Sequence, residues 1–236
     1  MTNEPVIPDF GEASTCVSEN RFFCTDWVRD NWGPVLQPRL IEHVELTLIA
    51  VGIGFVIAMA AALLAHRLRY IERPFAFASA VIYTIPSLAL FQLLVPLTGL
   101  TVTTVEIALV SYTLLILYRN ILEGLRGVPQ HVREAARGMG FTPTQTLLRV
   151  ELPLALPAIV AGLRVAVVST IALATVAAFV VSQGLGVPIL GALRLDFSTE
   201  IIAAGVLAVA LAIVADALLV LAQRVVTPWA ATRRTA

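Results

Sequence analysis

Read from its amino terminus, the chain is polar and acidic to about residue 43, then becomes a series of long apolar stretches divided by shorter polar ones. Five stretches approach the roughly 20 residues an α-helix needs to cross a hydrocarbon core about 30 Å thick. They cover about 44–65, 75–97, 104–122, 157–181 and 201–222. Lipid offers no hydrogen-bond partner to a bare amide, so each is predicted to be a helix. None shows the alternation of a membrane β-barrel strand. The third reaches residue 122 only if Arg119 extends its guanidinium toward the surface. The predicted fold class is an all-α polytopic membrane protein with five transmembrane helices. Its parts are an extracytoplasmic amino-terminal segment (1–43), a transmembrane domain (44–222) with a cytoplasmic loop at 123–156, and a cytoplasmic tail (223–236).

Composition agrees with a membrane protein. Apolar residues make up 58% of the chain and mean hydropathy is +0.87, while only 14% of residues are charged, against about 25% in soluble domains. All 16 basic residues are arginine and 16 acidic residues balance them. A nucleic-acid binder relying on global positive charge is thereby excluded. Two cysteines are too few for a disulfide scaffold or a four-cysteine zinc site.

The distribution of charge sets the orientation. Arg67, Arg69 and Arg73 follow the first span; Arg119, Arg126, Arg133, Arg137 and Arg149 lie between the third and fourth; Arg224, Arg233 and Arg234 follow the fifth. Short cytoplasmic loops are rich in basic residues, so these eleven are assigned to the inner side. Residues 1–43 carry seven carboxylates against three arginines and go outside. The amino terminus is then external and the carboxyl terminus cytoplasmic. Cys16 and Cys24 would lie in an oxidising space, where a disulfide and two free thiols are both open readings. From Arg21 to Leu36, aromatics mix with charges, as in a short interfacial helix or a loosely ordered extension.

The stretch from Glu123 to Pro157 is basic and well punctuated. A helix is predicted from about Gln130 to Met139, ending at Gly140, the residue best suited to a left-handed helix stop. A second is predicted to start at Thr142, with Pro143 in its first position and Gln145 completing a capping box. Pro153 and Pro157 are expected to prevent smooth continuation into the fourth span. A helix, glycine corner and helix projecting from the membrane suit a partner's groove.

Glu134-Ala135-Ala136, then Gly140, Val150 and Leu152-Pro153, resemble the EAA loop of binding-protein-dependent ABC importer permeases, with valine at 150 where isoleucine is usual. The resemblance implies that this loop docks on an ATP-binding subunit, with Glu134, Ala135, Ala136, Gly140, Leu152 and Pro153 as interface candidates. Other segments are similar to permeases for glycine betaine, carnitine, choline and related osmoprotectants. These are Leu46-Thr47-Leu48-Ile49-Ala50-Val51, the run from Tyr83 to Leu90, and Gly184-Leu185-Gly186. Methionine-type permeases share the general plan and are the alternative. The resemblance implies ABC ATPase subunits, an extracytoplasmic solute-binding protein expected to be a separate chain, and a second permease subunit, identical or different. The chain has no G-x-x-x-x-G-K-[ST] loop, so ATP and Mg²⁺ are expected on the partner ATPase. No cofactor or metal is expected on this chain, and it is expected not to be an enzyme. The acidic amino-terminal segment is longer than the short leader the family implies.

Polar residues within spans are functional candidates. Tyr83, Thr84, Pro86, Ser87 and Gln92 form a polar stretch in the second span, where Pro86 allows a kink. They are candidates to line a pathway; the other reading is close helix packing, as for Ser111, Thr113, Ser169 and Thr170. Arg164 and Asp216 fall at similar depth on the fourth and fifth spans and are read as a candidate ion pair. Glu106 stands three residues after Thr103, which predicts a capping box there. An intramembrane enzyme would need converging catalytic groups, yet His43, His66 and His131 fall at helix ends or in loops. A secondary transporter would ordinarily show repeated halves, and a scaffold would not need the glycine-cornered loop.

Overall fold

The computed structural model describes residue 16 and residues 20–230. All regular elements among the described residues are helical. Helix α1 (Thr25–Asn31) passes through a π turn (Trp32–Leu36) into α2 (Gln37–Arg67). Then come α3 (Arg69–Thr84), α4 (Ser87–Thr98), α5 (Val102–Arg126), α6 (Gln130–Gly138) and α7 (Pro143–Thr146). A second π turn (Leu147–Glu151) leads to α8 (Leu152–Val176), and α9 (Gly186–Leu195) and α10 (Ser198–Val226) follow. Four of the resulting helical stretches are long and apolar enough to cross a membrane, and the bent pair α3–α4 makes a fifth. The predicted membrane class and number of spans hold.

Helix α5 is the centre of the bundle, packed on both α2 and α8. Along α2, the buried small residues Ala50, Gly54, Ala58, Ala62 and Ala65 recur every three or four positions and form one narrow face. Leu117, Tyr118, Ile121 and Leu125 of α5 fill the space opposite its second half. Lipid tails are as apolar as leucine, so helices in a membrane are held by close contact, which small residues permit. A Cβ on Gly54 would stand 1.9 Å from Thr113 Oγ1, and one on Gly162 of α8 would stand 2.4 Å from the Asn120 Cβ of α5. Both glycines therefore set the distance between neighbouring helices.

Two stretches depart from the predicted pattern. The run 75–97 is not one continuous helix but two, α3 and α4, meeting at 102°. Pro86 has no amide hydrogen and disfavours helical geometry in the residue before it; Ile85 accordingly takes φ −69° and ψ 128°. The result is a corner rather than the kink Pro86 was expected to allow. Conversely, Pro153 and Pro157 do not stop the chain, which stays helical from Pro143 to Phe179. The π turn Leu147–Glu151, closed by the Leu152 amide on the Leu147 carbonyl, widens the ladder just ahead of Pro153. Pro153 then lies in the opening turn of α8, where a missing amide costs little.

At the end of the bundle bearing α1, the stretch around Trp27 is a helical extension of α2 rather than a separate element. Trp27 meets the Phe197 ring edge-on at 5.2 Å. Cys16 and Cys24 are joined as a disulfide. The Cys24 amide donates to Thr199 Oγ1 at 3.0 Å, and Asn20 exchanges hydrogen bonds with the Asp196 carbonyl and the Ser198 amide. The Gly184-Leu185-Gly186 loop is fastened to α2: Glu42 accepts from the Gly184 amide at 2.9 Å and His43 Nδ1 from the Leu185 amide at 3.2 Å. His43 Nε2 in turn donates to the Ile171 carbonyl at 3.0 Å, which fixes its tautomer.

Gly54→Val would force α2 from α5. Overpacking of this kind costs about 1–3 kcal/mol, and the detergent-purified protein is expected to melt several degrees lower; an unchanged melting temperature would show that α2 and α5 separate freely.

Candidate functional site

The corner at Ile85 and Pro86 creates the most polar opening within the spans. The broken ladder leaves the Ile85 carbonyl without a helical partner, and the Tyr112 hydroxyl of α5 donates to it. Tyr83 and Tyr112 meet edge-to-face with centroids 5.9 Å apart. Around them lies a cavity of about 440 Å³ between α3, α4, α5 and α8. Tyr83, Thr84, Pro86 and Ser87 line it, as do Tyr112, Thr113, Ser169 and Thr170. Gln92 does not; it is exposed on α4 beyond the corner. The lining offers aromatic faces and hydroxyls and no carboxylate. Thr113 and Ser169 were readable as packing residues, and Tyr112 carried no periodic signal; only the corner brings them to the same space.

The loop from Val128 to Glu151 is a compact helix, corner and helix. Gly140 takes φ +84°, which a residue with a Cβ adopts only with strain. Thr142 and Gln145 form the reciprocal capping box. Glu134, Ala135, Met139 and Gly140 are exposed, with Glu134 accepting a hydrogen bond from Gln130 at 2.7 Å. Ala136 is buried, Leu152 packs against the core and Pro153 is half-buried. Three of the six interface candidates therefore face outward, and the other three shape the element from within.

Beneath this loop lies a polar knot that sequence spacing did not reveal. Glu151, buried at the end of the second π turn, stands 2.8 Å from His66 Nε2 through one oxygen and 3.1 Å from Arg133 Nε through the other. The Arg133 contact is an ion pair rather than an aligned hydrogen bond. Arg133 also donates to the Leu125 carbonyl at 2.7 Å. Nearby, Arg126 forks onto Glu72.

Farther along the bundle, Arg164 Nε and a terminal nitrogen donate to the two oxygens of Asp216 at 2.7 and 2.8 Å, joining α8 to α10. The Thr103–Glu106 capping box does not form. Helix α5 begins two residues earlier than that box requires, with Thr101 as cap accepting from the Thr104 amide. Both Glu106 carboxylate oxygens are consequently buried without a partner.

Residues 51–231 match the family described as binding-protein-dependent transport system inner membrane component. The chain belongs to this family of ABC importer permeases. The permease is 35% identical over 202 residues to the choline transport system permease protein OpuBB of Bacillus subtilis, covering 86% of this chain and 93% of that one. It is 36% identical over 207 residues to the osmoprotectant import permease protein OsmW of Salmonella typhimurium, covering 86% and 96%. Among solved structures it resembles the inward-facing MetNI methionine ABC transporter, with a TM-score of 0.68 at 20% identity over 84% of this chain and 97% of that one. The last likeness speaks for the fold alone. The permease is a multi-pass inner-membrane transport subunit rather than an enzyme, and its family works with ATPase and solute-binding partners.

Asp216→Asn strips the Arg164 guanidinium of its carboxylate, and Arg164→Gln does the converse. Each is expected to lower the melting temperature of the purified permease, with the double variant losing less than the two losses added. Strictly additive losses would show that the two groups act independently.

Proposed function

We propose that this permease moves quaternary ammonium osmoprotectants, such as glycine betaine, carnitine or choline, from an external binding protein into the cytoplasm. The observation that carries the reading is its 35% identity, over most of both chains, to a permease named for choline transport. The corner cavity supports it. A quaternary ammonium group gives no hydrogen bonds and is stabilised by aromatic faces such as those of Tyr83 and Tyr112. Hydroxyls of Thr84, Ser87 and Ser169 suit the polar end of such a solute, and the lack of a lining carboxylate suits passage rather than capture.

ATP and Mg²⁺ act on separate ATPase subunits. The outward face of α6 and its glycine corner, with Glu134, Ala135 and Gly140, is the docking element, supported by its exposure and by the capping box that follows the corner. The arginine-rich end of the bundle faces the cytoplasm and the acidic, disulfide-bearing end faces outward. Five spans are few for enclosing a pathway, and little of α10 is buried within a single chain. Two permease subunits about a two-fold axis would supply the missing wall. Closure of the ATPase dimer would then draw α6 inward and open the cavity to the docked binding protein, and release of products would return it.

Proteoliposomes holding the permease and its ATPase are expected to take up radiolabelled glycine betaine, choline or carnitine when loaded binding protein is added, and not methionine. Uptake of methionine alone would replace this reading with the amino-acid one. Glu134→Arg and Gly140→Val are each expected to cut binding-protein-stimulated ATP hydrolysis roughly tenfold or more, within the range of coupling between sites. Full stimulation in both would remove the docking assignment.

A further inference from the structure

Helix α6 has a weak apolar hold on the rest of the molecule. It is nine residues long, and Ala136 is its one buried side chain. Its covalent connections are Pro129 on one side and the glycine corner on the other, both turns. A helix so lightly packed would pivot on its connections when pulled, without moving the bundle. Something stiffer must join it to the spans if it is to transmit force.

The Glu151 knot has that form. One carboxylate oxygen meets Arg133 of α6 and the other meets His66 in the last turn of α2. The carboxylate itself sits where the π turn gives way to α8. Arg133 adds the end of α5 through the Leu125 carbonyl. A single buried side chain thus brings together α6 and the ends of three spans. Losing either contact leaves a buried carboxylate short of a partner, whereas an alkyl side chain in the same place could slide. A buried ion pair is weak evidence for stability, because desolvation offsets most of the attraction. Its presence here calls for another role.

We propose that Glu151 is the positioning residue that passes displacement of α6 into the transmembrane helices. Two of the spans joined through this knot line the cavity: α5, reached through Arg133, carries Tyr112 and Thr113, and α8, which Glu151 precedes, carries Ser169 and Thr170. The π turn ending at Glu151 is the compliant joint, since its widened ladder already departs from α-helical bonding. When α6 moves, Arg133 pulls Glu151, the π turn yields, and α8 tilts against α5 while His66 carries α2 along. This inference rests on the docking assignment of α6, and its test separates the two.

The permease, its ATPase and its binding protein are reconstituted in proteoliposomes, with radiolabelled glycine betaine as probe. Stimulation of ATP hydrolysis by the loaded binding protein is read in parallel, so that the choice of solute does not decide the outcome. In Glu151→Gln the ATPase should co-purify at the normal ratio and basal hydrolysis should stay within about twofold. Uptake per ATP and stimulation should fall roughly tenfold, the size of a typical coupling between sites. Arg133→Gln, which leaves the His66–Glu151 pair intact, should do the same, and the double variant should be no worse than Glu151→Gln alone. Normal uptake per ATP in Arg133→Gln overturns the proposal, and this variant decides the matter if Glu151→Gln does not accumulate. Loss of the ATPase from Glu151→Gln also overturns it, because that would make the residue part of the docking surface. Glu134→Arg and Gly140→Val are the separate controls: if both keep full stimulation, the docking assignment of α6 fails, whatever Glu151 does.

Discussion

Every backbone carbonyl and amide inside a hydrocarbon layer must find its partner within the protein, at a cost of several kcal/mol if it does not. The architecture follows from this constraint, including the corner at which one span breaks. Between α3 and α4 the ladder is interrupted, and the orphaned Ile85 carbonyl accepts a hydrogen bond from the Tyr112 hydroxyl instead. The corner is tolerated because α5 reaches it, and α5 reaches it because small residues on α2 and a glycine on α8 let the three helices approach closely. Close packing elsewhere thus makes room for an irregular, polar site here.

The spans themselves were legible because length and hydropathy are strong signals and the bilayer permits few alternatives. The helix, glycine corner and helix were legible for another reason: Gly140, Thr142, Pro143 and Gln145 each have one dominant local use, and all agree. What escaped was geometry set by distant parts of the chain. Pro86 reads as a kink, but the angle it produces depends on what packs around the break. Pro153 and Pro157 read as stops, yet a π turn just ahead of Pro153 lets it open α8, and Pro157 is carried inside that helix. Thr101 and Thr103 are both plausible caps by type, and the choice between them is made by where α4 ends. Glu151 carried no signal, since its partners lie 18 and 85 residues away in sequence.

The two ends of the bundle are built differently. The arginine-rich end relies on charged contacts among α2, α3, α5, α6 and the π turn, which can exchange partners. The other end relies on backbone groups fixed by side chains: Glu42 and His43 hold the glycine loop, and Asn20 and Cys24 hold the start of α10. A molecule whose motion begins at one end benefits from a rigid opposite end, about which its helices can tilt.

The attachment of α10 bears on how the chain is assembled. This helix buries only 11% of its most apolar stretch within the chain; it packs along α8 and α9, and is tied by Arg164 at one level and by the amino-terminal segment at the other. It follows the other spans among the described residues, and the residues that receive it, Asn20, Cys24 and Trp27, lie ahead of α2. The segment around Asn20 and Cys24 is a waiting berth: its partners Asp196 and Thr199 lie 176 and 175 residues farther on, so it is completed only when α10 arrives and closes the bundle.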